Sequence, residues 1–344
     1  MNTPRRNFIK TAAVVGASGI AFPGISSTNA GGTTLNSKSE SSVWIGTLTQ
    51  QGMERDTPAN MAGKMLSFLE EMKSFKPDII CLPETFPYLN MSFTTESLKK
   101  IAEKYPYPLL DPFKRYAREN KCYIICPIIT YENGKCYNTA VLLDRRGNIQ
   151  DEYKKIHPAP GEMVYGVYPG PDKAKVWDTD FGKIGVQVCF DMQWNDGWQS
   201  LMDGQADIIF WPSAFSGNTL IKGRAWQSKA YTVSSTNKGV ARICDKTGEV
   251  IAATGQWNQG WICAPVNLNK QVVHAWPYVQ KFEDVIEKYG RKLTITNYHE
   301  EEWSVFESHD PEIKIKEVLQ EFDILDYNEH IRKYDAEQKK MLLS

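Results

Sequence analysis

Ile184-Gly185-Val186-Gln187-Val188-Cys189-Phe190-Asp191-Met192-Gln193-Trp194 is the stretch on which the fold reading turns. A short apolar, β-rich run ends in a thiol, and a more polar stretch follows. That pattern reads as a strand end delivering a side chain to a loop. Two upstream segments have the same form. Glu84 follows the strand-like Asp78-Ile79-Ile80-Cys81-Leu82-Pro83, and Lys155 closes the run that starts Ile149-Gln150-Asp151-Glu152-Tyr153. A thiol, a carboxylate and an amine at strand ends can act as nucleophile, base and oxyanion partner.

Working outward, Val43 to Thr49 reads as a first strand. Pro58 to Phe75 reads as an amphipathic helix, with Met61, Met65, Leu66, Leu69 and Met72 near helical spacing and Thr57 before Pro58 as its cap. A helix around Asp111 to Glu119 precedes a strand from Cys122 to Thr130. Asn133-Gly134 signals a hairpin into Tyr137 to Leu143, and Asp144 to Asn148 a turn into the strand that carries Lys155. Val176 to Phe181 and Ile184 to Val188 read as another hairpin, Gly223 to Val233 as a helix, and Gly239 to Cys244 as a strand. Asp207-Ile208-Ile209-Phe210-Trp211-Pro212 echoes Asp78-Ile79-Ile80-Cys81-Leu82-Pro83, which suggests two similar halves. Strands interleaved with helices and hairpins argue an α/β fold with a mixed sheet.

Leu82-Pro83-Glu84, Tyr153-Lys154-Lys155-Ile156-His157 and Gly185-Val186-Gln187-Val188-Cys189-Phe190-Asp191 resemble, in that order, the catalytic islands of the nitrilase superfamily of carbon–nitrogen hydrolases. Gly161-Glu162 and Trp211-Pro212-Ser213-Ala214-Phe215 fit two further segments of that family. The resemblance spans roughly residues 42 to 275. It implies a four-layer α-β-β-α sandwich with mixed sheets, usually paired into homodimers or larger homo-oligomers. It also implies roles for Cys189 as nucleophile, Glu84 as base, Lys155 as oxyanion stabiliser and Glu162 as its support. The backbone N–H of Phe190 is the second oxyanion donor that the resemblance implies. Metal and organic cofactors have no part in that chemistry.

Taken alone, these residues read more plainly. A cysteine at a strand end is usually a small buried hydrophobe. A thiol with a pKa near ~8.5 needs a base, and Glu84 serves if burial raises its pKa toward neutrality. Lys154 and Lys155 must point to opposite faces of a strand, so only one can face a pocket. The family register selects Lys155. His157 reads as structural, because the family uses glutamate as base. Phe86, Tyr88, Trp194 and Phe215 are candidates to line a substrate pocket, with ordinary core as the other reading.

The departures from the family pattern bear on substrate. Phe190-Asp191 stands where true nitrilases carry Trp-Glu, which looks more like the amidase and carbamoylase branches. Met192-Gln193 supply no arginine for a substrate carboxylate, as amino-acid carbamoylases do. Arg224-Ala225-Trp226-Gln227-Ser228 stands where the family has Arg-Ala-x-Glu-Asn. The expectation is a hydrolase of small linear amides. Carbamoyl or nitrile hydrolysis on the same residues, acyl transfer to an amine, and a non-catalytic binding protein on this fold are the other readings.

The chain has 344 residues, 42% hydrophobic, with 40 Lys+Arg against 41 Asp+Glu and a net charge of −1. That balance gives no footprint for nucleic acid. No apolar run reaches the roughly 18 residues of a spanning helix, so no stable membrane anchor is expected. Paired Arg5-Arg6 before Phe8-Ile9-Lys10, an Ala/Gly-rich segment and Thr28-Asn29-Ala30 read as a twin-arginine export signal over residues 1–30. The expected destination is the periplasm or another extracytoplasmic space. Residues 31–41 read as a flexible leader, 42–279 as the hydrolase domain, and 280–344 as a charged helical extension. That extension is either a solvated tail or an arm on a neighbouring subunit. The seven cysteines show no zinc-like spacing and suit a thiol enzyme without a disulfide framework.

Overall fold

The computed structural model describes residues 42–255 and 260–344. The export-signal and leader segments lie outside the described residues.

In chain order the strands are β1 (Ser42–Leu48), β2 (Ile79–Cys81), β3 (Tyr123–Glu132), β4 (Lys135–Leu143), β5 (Ile149–Lys154), β6 (Trp177–Asp178), β7 (Lys183–Val186), β8 (Ile208–Ser213), β9 (Tyr231–Thr236), β10 (Arg242–Cys244), β11 (Val250–Ala253), β12 (Trp261–Asn267), β13 (Lys270–His274), β14 (Leu293–Tyr298) and β15 (Trp303–Ser308). They form two six-stranded sheets, β12-β1-β2-β3-β4-β5 and β11-β10-β9-β8-β7-β6, and a third of order β13-β15-β14. In the first sheet β1, β2 and β3 are parallel, with antiparallel neighbours on both sides. In the second, β7, β8 and β9 repeat that arrangement.

Side-chain alternation makes the layers. On β2, β3 and β4, Ile79, Cys81, Tyr123, Ile125, Ala140 and Leu142 share one core with Ile184, Val186, Ile208 and Phe210 of the other sheet. Their neighbours Ile80, Ile124, Cys126, Val141 and Leu143 face the opposite way, onto Met61, Met65 and Leu69 of the helix Pro58–Met72 and Phe113 and Tyr116 of the helix Asp111–Asn120. Successive strand residues point to opposite faces, so the sheet is sandwiched between its partner sheet and two helices. The helices Asp196–Asp203 and Thr219–Ser228 cover the other sheet through Trp198, Leu201, Ile221 and Ala225. The result is the α-β-β-α sandwich.

The helix expected over Gly223 to Val233 runs instead over Thr219–Ser228, and Tyr231–Thr236 is the buried central strand β9. That strand escapes the usual alternation because its hydroxyls bond across to the other sheet. Thr47 Oγ1 donates to the Ser234 carbonyl (2.8 Å) and Ser235 Oγ to the Leu48 carbonyl (3.0 Å). Polar side chains are satisfied there without apolar packing.

The charged segment from 280 onward is not simply helical. It contains β14 and β15, which pair with β13, and the helices Phe282–Tyr289 and Ile315–Glu321 pack on that sheet. Val273, Phe282, Val285, Leu293, Phe306, Ile315, Val318 and Leu319 form its own core. Charge in the flanking helices masked these strands, of which β15 is buried on both faces, Phe306 in this core and Trp303 and Val305 on the other side. The helix Tyr327–Leu342 buries none of its own residues. All seven cysteines are free. Among the described residues, no helix is long and apolar enough to cross a membrane.

Candidate active site

Glu84, Lys155 and Cys189 converge at strand ends on the seam between the two large sheets. Glu84 lies three residues past β2 and is 5% exposed; Lys155 directly follows β5 and is 1% exposed. Lys155 Nζ donates to Glu84 Oε1 at 2.8 Å and to Glu162 Oε2 at 2.6 Å. Asn138 Nδ2 donates to Glu84 Oε1 and Glu162 Oε1, both at 2.8 Å. The Ala159 N–H donates to Glu162 Oε2 at 2.7 Å. The two carboxylates are thus bridged by one ammonium and one amide. An ammonium has three donors, so the bonds to the two glutamates leave Lys155 one N–H.

Lys154 points the other way, as the strand requires. It pairs with Glu132 and lies over the Tyr137 ring. Burial pulls the Lys155 ammonium toward neutrality, but the charges of Glu84 and Glu162 outweigh it and hold the pKa above its ordinary value.

Cys189 opens a short helical turn, Cys189–Gln193, with φ at +45°. A non-glycine residue there is strained, and the surroundings must hold it. Asp191 does so, fully buried. Its Oδ2 takes the Val188 N–H (2.9 Å) and the Tyr153 hydroxyl (2.8 Å), and its Oδ1 takes the His157 N–H (2.8 Å). Tyr153 and His157 flank Lys155, so one carboxylate ties the turn of Cys189 to the segment of Lys155. Trp211 Nε1 donates to the Cys189 carbonyl (3.0 Å). Arg224 donates to the carbonyls of Met192 (2.8 Å) and Trp194 (2.7 Å) and fixes the loop that follows.

The Cys189 thiol is pushed up to about 12, first by burial and then by the Glu84 charge; Lys155 and a hydrogen bond from the Ala214 N–H oppose this only in part. The Glu84 carboxylate lies near enough to the thiol to help raise its pKa. The resting sulfur therefore keeps its proton beside a carboxylate placed to take it. Phe190 lies in the first turn, where main-chain N–H groups have no helical acceptor.

A family model described as carbon–nitrogen hydrolase matches residues 47–278. The chain belongs to the carbon–nitrogen hydrolase family. Among curated relatives, this hydrolase is 26% identical over 215 residues to the omega-amidase NIT2 of Homo sapiens, covering 55% of this chain and 76% of that protein. It is 25% identical over 198 residues to the deaminated glutathione amidase of Dictyostelium discoideum, covering 51% and 68%. Of solved structures, Saccharomyces cerevisiae Nit3, a nitrilase-superfamily member, aligns with a TM-score of 0.58 at 21% identity, over 73% of this chain and 95% of that one. An amidase from Nesterenkonia sp. aligns at 0.57 and 14% identity, over 69% and 94%. Those two likenesses show the fold.

The pocket candidates divide. Phe86 is fully buried against Phe113, edge to face at 5.3 Å, on the helix side of the first sheet. Tyr88 is buried in a side cluster with Leu98 and Ile129, its hydroxyl on the Ile101 carbonyl (3.0 Å). Both are core residues, because the chain turns away from the site directly after Glu84. Trp194 is 39% exposed and stacks on His157 at 4.2 Å, with Phe190 edge-on at 5.1 Å. Phe215 is half-buried on Trp211. His157 hydrogen-bonds Asp191 and reaches Asp196 (Nε2 to Oδ2, 3.2 Å); the Asp191 bond leads in raising its pKa. It is a spacer between carboxylates and a platform for Trp194.

The sequence reading did not single out Asn138, Asp191 or the Ala214 N–H as parts of the site. A lone amide inside the apolar strand Tyr137 to Leu143 was a usable signal for Asn138, since buried polar groups are there to be bonded. The Ala214 contact is made by backbone, which carries no signal in residue type.

Proposed function

We propose that the hydrolase cleaves the C–N bond of a small linear amide through a thioester on Cys189. As the sulfur attacks the carbonyl carbon, the thiol proton passes to Glu84. The carbonyl oxygen becomes an oxyanion between the spare N–H of Lys155 and the N–H of Phe190. When the intermediate collapses, the C–N bond breaks and ammonia leaves with the proton from Glu84. Water then loses a proton to Glu84 as it attacks the thioester; a second oxyanion forms and collapses, and sulfur leaves with that proton. The sum is amide plus water giving carboxylic acid and ammonia. Glu162 and Asn138 keep Lys155 and Glu84 in place throughout.

The observation that carries this reading is the buried Glu84–Lys155 pair, hydrogen-bonded at 2.8 Å, beside the Cys189 thiol. The amide activities named for the omega-amidase and deaminated glutathione amidase relatives support the choice of amides. Ammonia release from a panel of linear amides, compared between the natural protein and Cys189→Ala, tests it. Release should fall to the uncatalysed rate in the variant, and an acyl adduct on the Cys189 peptide should be seen by mass spectrometry. Equal release from both proteins would remove Cys189 from the mechanism.

Export by the twin-arginine route and self-association into a homodimer or larger homo-oligomer belong to the same proposal. Arg5→Lys with Arg6→Lys should retain the protein in the cytoplasm, and sedimentation velocity should give at least twice the monomer mass. Continued export, or a monomer, would reject the respective part.

A further inference from the structure

His157 lies between two carboxylates. Its Nδ1 is 3.1 Å from Asp191 Oδ1, and its Nε2 is 3.2 Å from Asp196 Oδ2. An ionised carboxylate can only accept, and a neutral imidazole carries one N–H. Both contacts are hydrogen bonds only when the ring carries two protons, as imidazolium. The ring also stacks on the Trp194 indole, 3° from parallel at 4.2 Å, and a cation gains on such a face.

Asp191 needs that charge. Its side chain is fully buried, and its other donors, the Val188 and His157 main-chain N–H groups and the Tyr153 hydroxyl, are neutral. A buried carboxylate without a cation is costly. Asp191 and Asp196 are the charged groups that face the ring. Lys155, two positions before it, is turned to Glu84 and Glu162, and Lys154 pairs with Glu132. Arg224 reaches the Met192 and Trp194 carbonyls. Through Asp191 the ring is one carboxylate away from the Val188 N–H, directly before the strained Cys189. Through Trp194 it backs Phe190, whose ring meets the indole edge-on.

We propose that His157, as imidazolium, is a positioning residue for the hydrolase: its charge locks the Asp191 carboxylate against the Cys189 turn, and loss of that charge as pH rises lets the turn relax. The neutral ring can donate to one carboxylate only, so the other faces a nitrogen lone pair. The backbone strain at Cys189, φ +45°, then has less to hold it, and the sulfur and the Phe190 N–H leave their working geometry. The two aspartates, Asp191 first, hold the ring's pKa above its ordinary value, so the loss falls above pH ~6.5. The sign for stability agrees: the bridge contributes fully below pH ~6.5, and its contribution is lost as pH climbs through the raised pKa. The effect on turnover rests on the catalytic reading of Cys189; the protonated bridge does not.

Proton binding is read by NMR titration of the imidazole nitrogens of the whole chain, with His157→Gln assigning the signal. The expected midpoint lies above ~6.5. Asp196 is half-exposed, so Asp196→Asn spares the core, and it should lower that midpoint. In the natural protein kcat for amide hydrolysis should fall above the same midpoint, with KM nearly unchanged. In His157→Gln, kcat should be about tenfold lower at pH 6, the size of one charge-assisted hydrogen bond, and flat across that window. In Asp196→Asn the fall in kcat should move down in pH together with the imidazole. A histidine that only packs would leave the pH profile in place. A His157 midpoint at or below ~6.5, or the same falling limb in His157→Gln as in the natural protein, would overturn the proposal. Failure of the catalytic reading looks different: Cys189→Ala then releases as much ammonia as the natural protein, while the imidazole titration still reads the bridge.

Discussion

The two halves of the sandwich share a frame and differ in what stands at its ends. β1-β2-β3 and β7-β8-β9 are parallel triplets with a helix covering each crossover. Gly46 pairs opposite Ile80 in the first and Gly185 opposite Ile209 in the second. In that register Gln50 is the counterpart of Cys189, and Ser213 of Glu84. Gln50 does holding work: its Nε2 donates to the Phe86 carbonyl (3.0 Å), and its Oε1 accepts from Asn237 Nδ2 (2.7 Å). Asn237 Nδ2 also donates to the Glu84 carbonyl (3.0 Å). One half therefore presents the Glu84 carboxylate, braced by Gln50 of its own half and Asn237 of the other, while the other half presents the thiol. The frame decides where side chains arrive, and the residues at the ends decide what they do there.

Changing Lys155 should break the comparison most strongly, because that ammonium bridges carboxylates from different elements. Lys155→Met should lower kcat by about 10²–10³ through the lost oxyanion donor. It should also destabilise by roughly 3–5 kcal/mol, because Glu84 and Glu162 lose their shared cation. Steady-state kinetics and urea unfolding check the two effects separately.

The pH behaviour of Cys189 gives a further contrast. Its pKa is raised, so in the resting enzyme the thiol is protonated below about 12. Alkylation of the Cys189 peptide by iodoacetamide should speed up about tenfold per pH unit, roughly a hundredfold between pH 8 and 10. A rate flat from pH 6 upward would show a preformed thiolate. The sign for stability is the same: the buried neutral thiol favours the fold at pH below about 9, and this contribution is lost as pH climbs toward 12.

The glycines sharpen the comparison of the halves. A Cβ on Gly185 would meet Leu201 Cδ2 at 2.6 Å, whereas on Gly46 it would meet Met72 Sδ at 3.0 Å. Leu201 is locked in the core, and methionine is the more adaptable neighbour. Gly185→Ala should cost about 1–3 kcal/mol, and Gly46→Ala less. Equal unfolding midpoints would show that the two crossovers are packed alike. A smaller effect is expected at Asn138. Asn138→Leu removes one shared amide from two charged acceptors and should lower kcat about tenfold, with KM nearly unchanged.

Much of this was legible in the chain. Helix Pro58–Met72 was readable from its spacing and its Thr57 cap, which accepts from the Asn60 N–H. The echo of Asp78 to Pro83 in Asp207 to Pro212 marks β2 and β8, which hold equivalent places in their sheets. Glu84, Lys155 and Cys189 were legible because strand ends are punctuated by proline, charge and changes of texture. β9 was hidden because its hydroxyls are satisfied largely by main-chain groups, Ser235 Oγ by the Leu48 carbonyl and Thr232 Oγ1 by the Ile221 carbonyl, and β14 and β15 because they lie among charged helices. Phe86 and Tyr88 stayed open between pocket and core, because aromatic type says nothing about which way the chain turns; both lie in buried clusters.

The sequence by itself determined the alternating strands, the helices that cover them and the residues at the strand ends, since each depends on neighbours along the chain. Tertiary structure alone decided that Asn138 bridges Glu84 and Glu162, that Asp191 ties the Cys189 turn to the Lys155 segment, and that His157 lies between Asp191 and Asp196. Those contacts join residues tens of positions apart, and local propensity carries no information about partners that meet only when the sheets close.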